Sequence, residues 1–158
     1  MLHNVRMPAI LLLLFGLPCL AQFQVRATGG AAIFLDEDFP SHKMIGGSLR
    51  LPLTRRLGLE PEVLYLRQSD LDDDVILAPN LTFDLTTRKR AIPYLIGGPG
   101  WLRHRGGFPG RRFTTSEWTV SGGLGLRLFL ADHLFLAPEA RIGWEPLFRV
   151  TFSIGYSF

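Results

Sequence analysis

Nine ionisable side chains stand at alternating positions of otherwise apolar or small-residue segments: Arg26, Arg50, Glu60, Glu62, Asp84, Arg127, Glu139, Arg141 and Arg149. Five are basic and four acidic, so as a group they nearly neutralise one another. A Pro-Glu pair occurs twice, as Pro61-Glu62 and Pro138-Glu139. Paired carboxylates can exchange protons with a substrate or pass a cation, but catalysis also needs a cleft that admits the substrate. A lipid hydrolase would need a nucleophile beside a base. Outside the N-terminal segment the histidines are His42, His104 and His133, and none is coupled by spacing to a serine and a carboxylate. His104 reads as a solvated loop histidine near Thr114, Thr115 and Ser116, and His133, next to Asp132, as turn chemistry. Residues 70–74 (DLDDD) lack the spaced glycine and closing glutamate of a calcium loop and read as a solvated acidic tip. In 103–112 (RHRGGFPGRR), Arg103, Arg105, Arg111 and Arg112 surround Phe108. Guanidinium groups engage phosphate in bidentate fashion, which makes this stretch a candidate contact for phosphorylated lipid. No residue is assigned a catalytic, cofactor-binding or metal-binding role.

The elements that carry these residues are strands. The last twelve residues alternate without a miss: Phe148, Val150, Phe152, Ile154, Tyr156 and Phe158 on one face; Leu147, Arg149, Thr151, Ser153, Gly155 and Ser157 on the other. Seventeen glycines and eleven prolines argue against helices, and no segment after residue 22 keeps a 3.6-residue apolar period. Turn signals divide the chain into strands at about 22–35, 42–53, 57–67, 75–85, 91–103, 117–130, 133–144 and 147–158. Connectors at 54–56, 86–90 and 131–132 are tight, whereas 68–74 and 104–116 are longer and polar. Short turns on one side and longer loops on the other are the asymmetry of an outer-membrane barrel.

Ahead of the strands, Met1–Arg6 is weakly basic, and the apolar run Ile10–Leu17 is well short of the ~20 residues of a spanning helix. Residues 1–21 read as a cleaved signal peptide, with Cys19 and Ala21 at the recognition positions and 22–158 as the mature domain. Pro18 argues against a lipoprotein signal using Cys19. Cleavage removes the one cysteine, so no disulfide is available. It also removes Arg6, lowering the formal charge from +3 to +2, too slight to argue for nucleic acid.

A soluble lipocalin-like barrel would show the same alternation with its apolar face inward. Two features favour the membrane. The polar face carries Gly123, Gly125, Arg127, Thr151, Ser153 and Gly155 rather than the Lys and Glu of a water-facing surface, and small residues suit a narrow lumen. Tyr65, Trp101, Trp118 and Trp144 fall at one rim, as an aromatic girdle does at headgroup level.

The stretches PEVLYL (61–66), PYLIGGPGW (93–101), GGLGLRLFL (122–130), LAPEARIGW (136–144) and the terminal YSF resemble the small eight-stranded outer-membrane barrels of the opacity-protein and OmpA/OmpX-like group. The resemblance covers the mature chain as a pattern and turn rhythm. It implies an all-β, eight-stranded antiparallel up-and-down transmembrane barrel and insertion by the barrel assembly machinery through the C-terminal strand. It implies no single activity. The chain departs from the group in the very short connection around Glu145 and Pro146, which weakens an adhesin role, and the periplasmic peptidoglycan-binding domain that larger members carry after the barrel is not expected.

On this reading the nine charges line the lumen. A simple hairpin at 54–56 puts Arg50 opposite Glu60, and Glu62 and Glu139 point inward from opposite walls, with arginines of neighbouring strands expected to bridge them. Eight strands leave an interior just filled by side chains. The expected protein is therefore a monomeric, non-enzymatic outer-membrane barrel with a charged, plugged lumen and a structural or envelope-interaction role. Its expected partners are membrane lipid and lipopolysaccharide, and it uses no cofactor. A narrow proton or ion pore, a lipid-modifying enzyme and a soluble lipocalin-like barrel are the alternatives. An arginine at Val150 or Phe152 is expected to cost more than one at Ser153, given room in the lumen. Prolines 61, 79, 93, 99 and 138 each remove a ladder donor from a proposed strand, which the pattern leaves unexplained.

Overall fold

Eight antiparallel strands pair in chain order and close on themselves. The computed structural model describes residues 23–34, 41–69, 72–87, 90–108, 111–144 and 147–158; the expected signal peptide and its cleavage point lie outside them. The strands are β1 (Gln24–Phe34), β2 (Ser41–Pro52), β3 (Leu57–Ser69), β4 (Asp72–Asp84), β5 (Ala91–Phe108), β6 (Arg111–Phe129), β7 (Leu134–Gly143) and β8 (Leu147–Ser157). Closure is made by β1 and β8, in register from Gln24↔Ser157 to Phe34↔Leu147. Beyond that ladder Phe158 N–H donates to the Phe23 carbonyl at 3.0 Å, and the two rings stack with centroids 4.4 Å apart. A closed sheet leaves no unpaired edge, which is the condition for strands to lie in hydrocarbon.

Burial is inverted relative to a water-soluble domain. The outward residues of β8 are the exposed apolar set read from the sequence, with Val150, Phe152 and Ile154 each about half exposed. Ile45, Val63, Leu77, Leu81, Leu95, Val120, Leu124 and Ile142 continue this exposed surface around the wall. A contiguous apolar surface of that extent is foreign to a soluble monomer. The buried set is mostly polar: Arg26, Arg50, Glu60, Glu62, Asn80, Thr82, Asp84, Arg127, Glu139, Arg141, Arg149 and Thr151 all face the lumen.

Two expected loops are strand. The 104–116 stretch belongs mostly to β5 and β6, which run to 18 and 19 residues and pair through Arg105↔Thr114 to Phe108↔Arg111. The 68–74 stretch likewise belongs mostly to β3 and β4, which pair through Arg67↔Asp73 and Ser69↔Asp72. The reason is local. Phe113, Thr114, Thr115 and Trp118 favour extended backbone, and an antiparallel ladder satisfies its own hydrogen bonds without a bilayer around it.

The prolines mark breaks in individual ladders. Pro61, Pro79 and Pro99 are exposed and Pro93 and Pro138 half-exposed, on the outer face. Pro61 lies opposite Pro79, and the β4–β5 register from Leu77↔Trp101 to Leu81↔Gly97 places Pro79 opposite Pro99. Three prolines thus stand side by side on neighbouring strands. The β2–β3, β4–β5 and β6–β7 pairings are interrupted beside Pro61, at Pro79/Pro99 and at Pro138, while β3–β4 and β5–β6 run past prolines unbroken. Each proline therefore costs hydrogen bonds on only one of its two sides. At Pro79/Pro99 neither partner has an N–H, so neither ladder bond can form. Pro93 sits at a ladder end, where its carbonyl still accepts from Leu85 N–H at 2.9 Å. Replacing Pro79 and Pro99 together by leucine is expected to restore two donors, each worth about 0.5–1.5 kcal/mol net. The check is a higher unfolding midpoint in urea and slower amide exchange at Leu77 and Leu81, whose N–H groups face the same seam; unchanged values would mean that the new donors find no acceptors across it.

Candidate functional site

The lumen is built by strand alternation: every second residue points inward, and the polar ones concentrate toward the tight-turn end. Three charge clusters form there. In the first, Arg26 pairs with Glu60, donates to Ser48 Oγ at 3.1 Å and to the Tyr94 hydroxyl at 2.8 Å, and stands 3.5 Å from Glu139. Ser48 in turn donates to Glu60 at 2.8 Å. In the second, Asp84 joins Arg50, at 3.0 Å, to Arg127, which also donates to Gln24 Oε1 at 3.3 Å. Arg50 Nε completes its bonding on Thr82 Oγ1 at 3.0 Å. In the third, Arg141 holds Glu62 in bidentate fashion, both distances 3.1 Å, while Arg149 and Asn80 reach the same carboxylate at 3.0 and 3.2 Å. Arg141 Nε also pairs with Glu139, so one guanidinium links glutamates from the opposite walls β3 and β7.

The geometry departs from the expected pairing in an instructive way. The register between Ser48↔Glu62 and Leu51↔Leu59 does put Arg50 opposite Glu60. Their side chains nevertheless choose other partners, because Arg50 leans toward Thr82 and Asp84 on β4 while Arg26 of β1 takes Glu60. The arginines that bridge Glu62 come from β7 and β8 across the lumen, and from the neighbouring β4 only Asn80 reaches it. In so narrow an interior the far wall is within reach of a guanidinium.

Tyr94 is the largest of the lumen residues, with Ser48, Asn80 and Thr82, that join the charged set without having stood out in the sequence. Its hydroxyl accepts from Arg26 and donates to Glu139 at 2.7 Å, and the Arg127 guanidinium lies 4.6 Å from its ring centroid. The ring lies over Gly125, its register partner on β6, and Phe135 lies over Gly155 in the same manner. A Cβ at either glycine would enter the ring. The signal was present: Pro93 and Leu95 share the outer face, so Tyr94 must point in. Tyr94→Phe is expected to cost about 1–3 kcal/mol by leaving buried polar groups short of a partner, read from unfolding in urea.

Toward the opposite end the interior is apolar. Ala32, Met44, Leu64, Leu66, Ile76, Ala78, Leu102 and Leu147 form one buried cluster. Above it Asp74, 1% exposed, bonds His104 Nδ1 at 2.6 Å, and His42 is buried on β2. Asp74 is therefore no part of a solvated tip, and His104 no solvated loop residue: β4 and β5 continue past the rim and bring them together. His133 contacts the Ser157 carbonyl at 2.7 Å and stacks on Tyr156, tying the last turn to the end of β8. Arg103, Arg105 and Arg111 are exposed on the long β5–β6 hairpin; the side chain of Arg112 lies outside the described set. Among the described residues, no group of His, Cys, Asp and Glu is arranged to hold a metal ion.

The N-terminal β-barrel domain of Pseudomonas aeruginosa OprF is similar over 87% of this chain and 97% of its own, at 14% identity and a TM-score of 0.71. Neisserial surface protein A is similar over the same shares, at 10% identity and a TM-score of 0.72. Ail, the attachment invasion locus protein of Yersinia pestis, also covers 87% and 97%, at 11% identity and a TM-score of 0.62. No protein-family model matches the sequence, and no curated protein matches it. What is shared at these identities is the fold, that of the small eight-stranded transmembrane barrels.

Proposed function

We propose that the protein is a monomeric outer-membrane barrel that seals itself in the bilayer and serves the envelope structurally, with a plugged lumen and no catalytic chemistry. The observation that carries this is the engagement of Glu60, Glu62, Asp84 and Glu139, the four carboxylates of the polar half of the lumen, by guanidinium groups from other strands or their own, beneath a buried apolar layer. Charges committed to one another offer little to a passing ion, and the apolar layer adds a region with no polar partner for one. Export by the N-terminal signal and insertion through β8 and Phe158 complete the reading.

The test has two parts. Heating the membrane fraction before gel electrophoresis is expected to shift the protein's mobility, and reconstitution in a planar bilayer is expected to give no steady conductance. A steady conductance that disappears in Glu62→Gln would replace the sealed barrel by a narrow pore. A changed lipid A mass spectrum on overexpression would replace it by a lipid-modifying enzyme.

A further inference from the structure

The register gathers basic side chains on one flank of the outer wall. At the end opposite the tight turns, Lys43 of β2 lies opposite Arg67 of β3, Arg67 opposite Asp73 of β4, and Asp73 opposite Arg105 of β5. Arg103 stands two residues along β5 from Arg105, on the same face and opposite Val75. All four cations are exposed and point away from the lumen, and Asp73 is half-exposed among them. With strands ~4.8 Å apart, the row from Lys43 to Arg105 spans roughly 15 Å of wall. Directly below it on the same strands come Ile45, Tyr65, Leu77 and Trp101, all strongly exposed, with Trp101 against Trp118 at 5.6 Å between centroids.

The remaining flank differs. On β6 the register partners are Ser116, opposite Arg103, and Thr114, opposite Arg105, and the last outward positions of β7, β8 and β1 at this end are Ile142, Phe148 and Ile33, which pair with one another in one row. The positive charge of the wall is thus gathered on β2, β3 and β5, with Arg111 exposed farther along the hairpin on β6, and it begins where the apolar wall and its tryptophans end. That is the depth of lipid headgroups. A solute crossing through the lumen would not meet these side chains; a lipid moving in the plane of the membrane would.

We propose that the Lys43–Arg67–Arg105 row, with Arg103, is a lateral binding site for the phosphates of an outer-leaflet glycolipid, lipopolysaccharide being the bearer. This rests on the membrane reading above. Phosphate oxygens receive Arg103 and Arg105 as bidentate donors, and Lys43 and Arg67 hold a second phosphate group farther around the wall. The acyl chains lie along the apolar strip beneath. Asp73 keeps neighbouring cations in place and limits the net charge, so the site favours a ligand with separated phosphates over a single compact anion. Two of the four residues, Lys43 and Arg67, come from strands far in sequence from the arginine-rich hairpin.

The experiment uses the folded full-length mature protein in neutral detergent, with lipopolysaccharide, its enzymatically dephosphorylated form, and inorganic pyrophosphate as probes. The variant carries Lys43→Gln, Arg67→Gln, Arg103→Gln and Arg105→Gln; a control carries Arg55→Gln and Arg56→Gln in the tight turn at the other end. Expected is at least a tenfold loss of lipopolysaccharide affinity in the variant, none in the control, and a comparable loss for wild type on dephosphorylated lipid. Unchanged affinity in the variant, or equal affinity for the dephosphorylated lipid, overturns the proposal. Pyrophosphate binding as tightly as lipopolysaccharide overturns the lipid as its bearer. Each variant is first checked for the heat-dependent mobility shift. Loss of the shift in wild type would mean that the membrane reading had failed, whereas an intact shift with unchanged affinity would mean that the site alone had.

Discussion

Glu62→Ala is expected to destabilise the folded barrel by about 3–5 kcal/mol, because it removes the partner of more than one buried cation. Arg141, 1% exposed, loses a bidentate carboxylate but keeps Glu139. Arg149, 3% exposed, loses the carboxylate held at 3.0 Å, and its Nε already lacks a partner. Asn80 loses the acceptor at 3.2 Å as well. The damage is electrostatic before it is steric. Adding Arg149→Leu to Glu62→Ala should therefore recover part of the loss, even though it deletes a second large side chain. Urea unfolding in vesicles, followed by the gel mobility of folded and unfolded forms, would read both. Strictly additive losses in the double variant would show that Arg149 does not depend on Glu62.

The Glu62 hub also shows what the amino-acid pattern reveals and what it withholds. Alternation with period two fixes which face each residue occupies, so the inward placement of all nine charged residues could be read from the chain alone. Partner choice could not, because it depends on how strands lean and on the lumen's width: Arg50 and Glu60 stand opposite each other and bond elsewhere. Alternation also fails where both faces are apolar. In Val63–Leu66 the inward Leu64 and Leu66 look no different from the outward Val63 and Tyr65, and the apolar half of the lumen is hidden for that reason. The outer hairpins were obscured by composition. Gly106, Gly107 and the aspartates at 72–74 signal turns, yet cross-strand pairing extends the ladder through them, and the Asp74–His104 contact follows from that extension. The prolines are legible only after the register is known, since the question is which of two ladders each one interrupts.

Phe152→Arg tests whether the exposed wall lies in lipid. Phe152 is at the middle of β8, outward and half exposed, opposite Pro138 on one side and Gly29 on the other. In a bilayer an arginine there is expected to cost about 2–4 kcal/mol, falling to about 0–1 kcal/mol near an interface. Tyr156, on the same face one turn of the pleat from the strand's end, supplies the interface position, so Tyr156→Arg should be the milder change. In a water-soluble barrel the same two substitutions would expose charge to water and show no such gradient. The lumen has no such room at Ser153. Ser153 is 2% exposed and its hydroxyl lies 2.8 Å from that of Thr28, in the polar half of an interior whose arginines already occupy the carboxylates around them. An arginine at Ser153 is therefore expected to destabilise through overpacking and like-charge repulsion, by about 1–3 kcal/mol or more, rather than to be the tolerated member of the pair. The two costs differ in origin and so respond differently to the surroundings: thinning the bilayer should relieve Phe152→Arg and leave Ser153→Arg unchanged. If lipid thickness moved neither, the apolar wall would not be facing hydrocarbon.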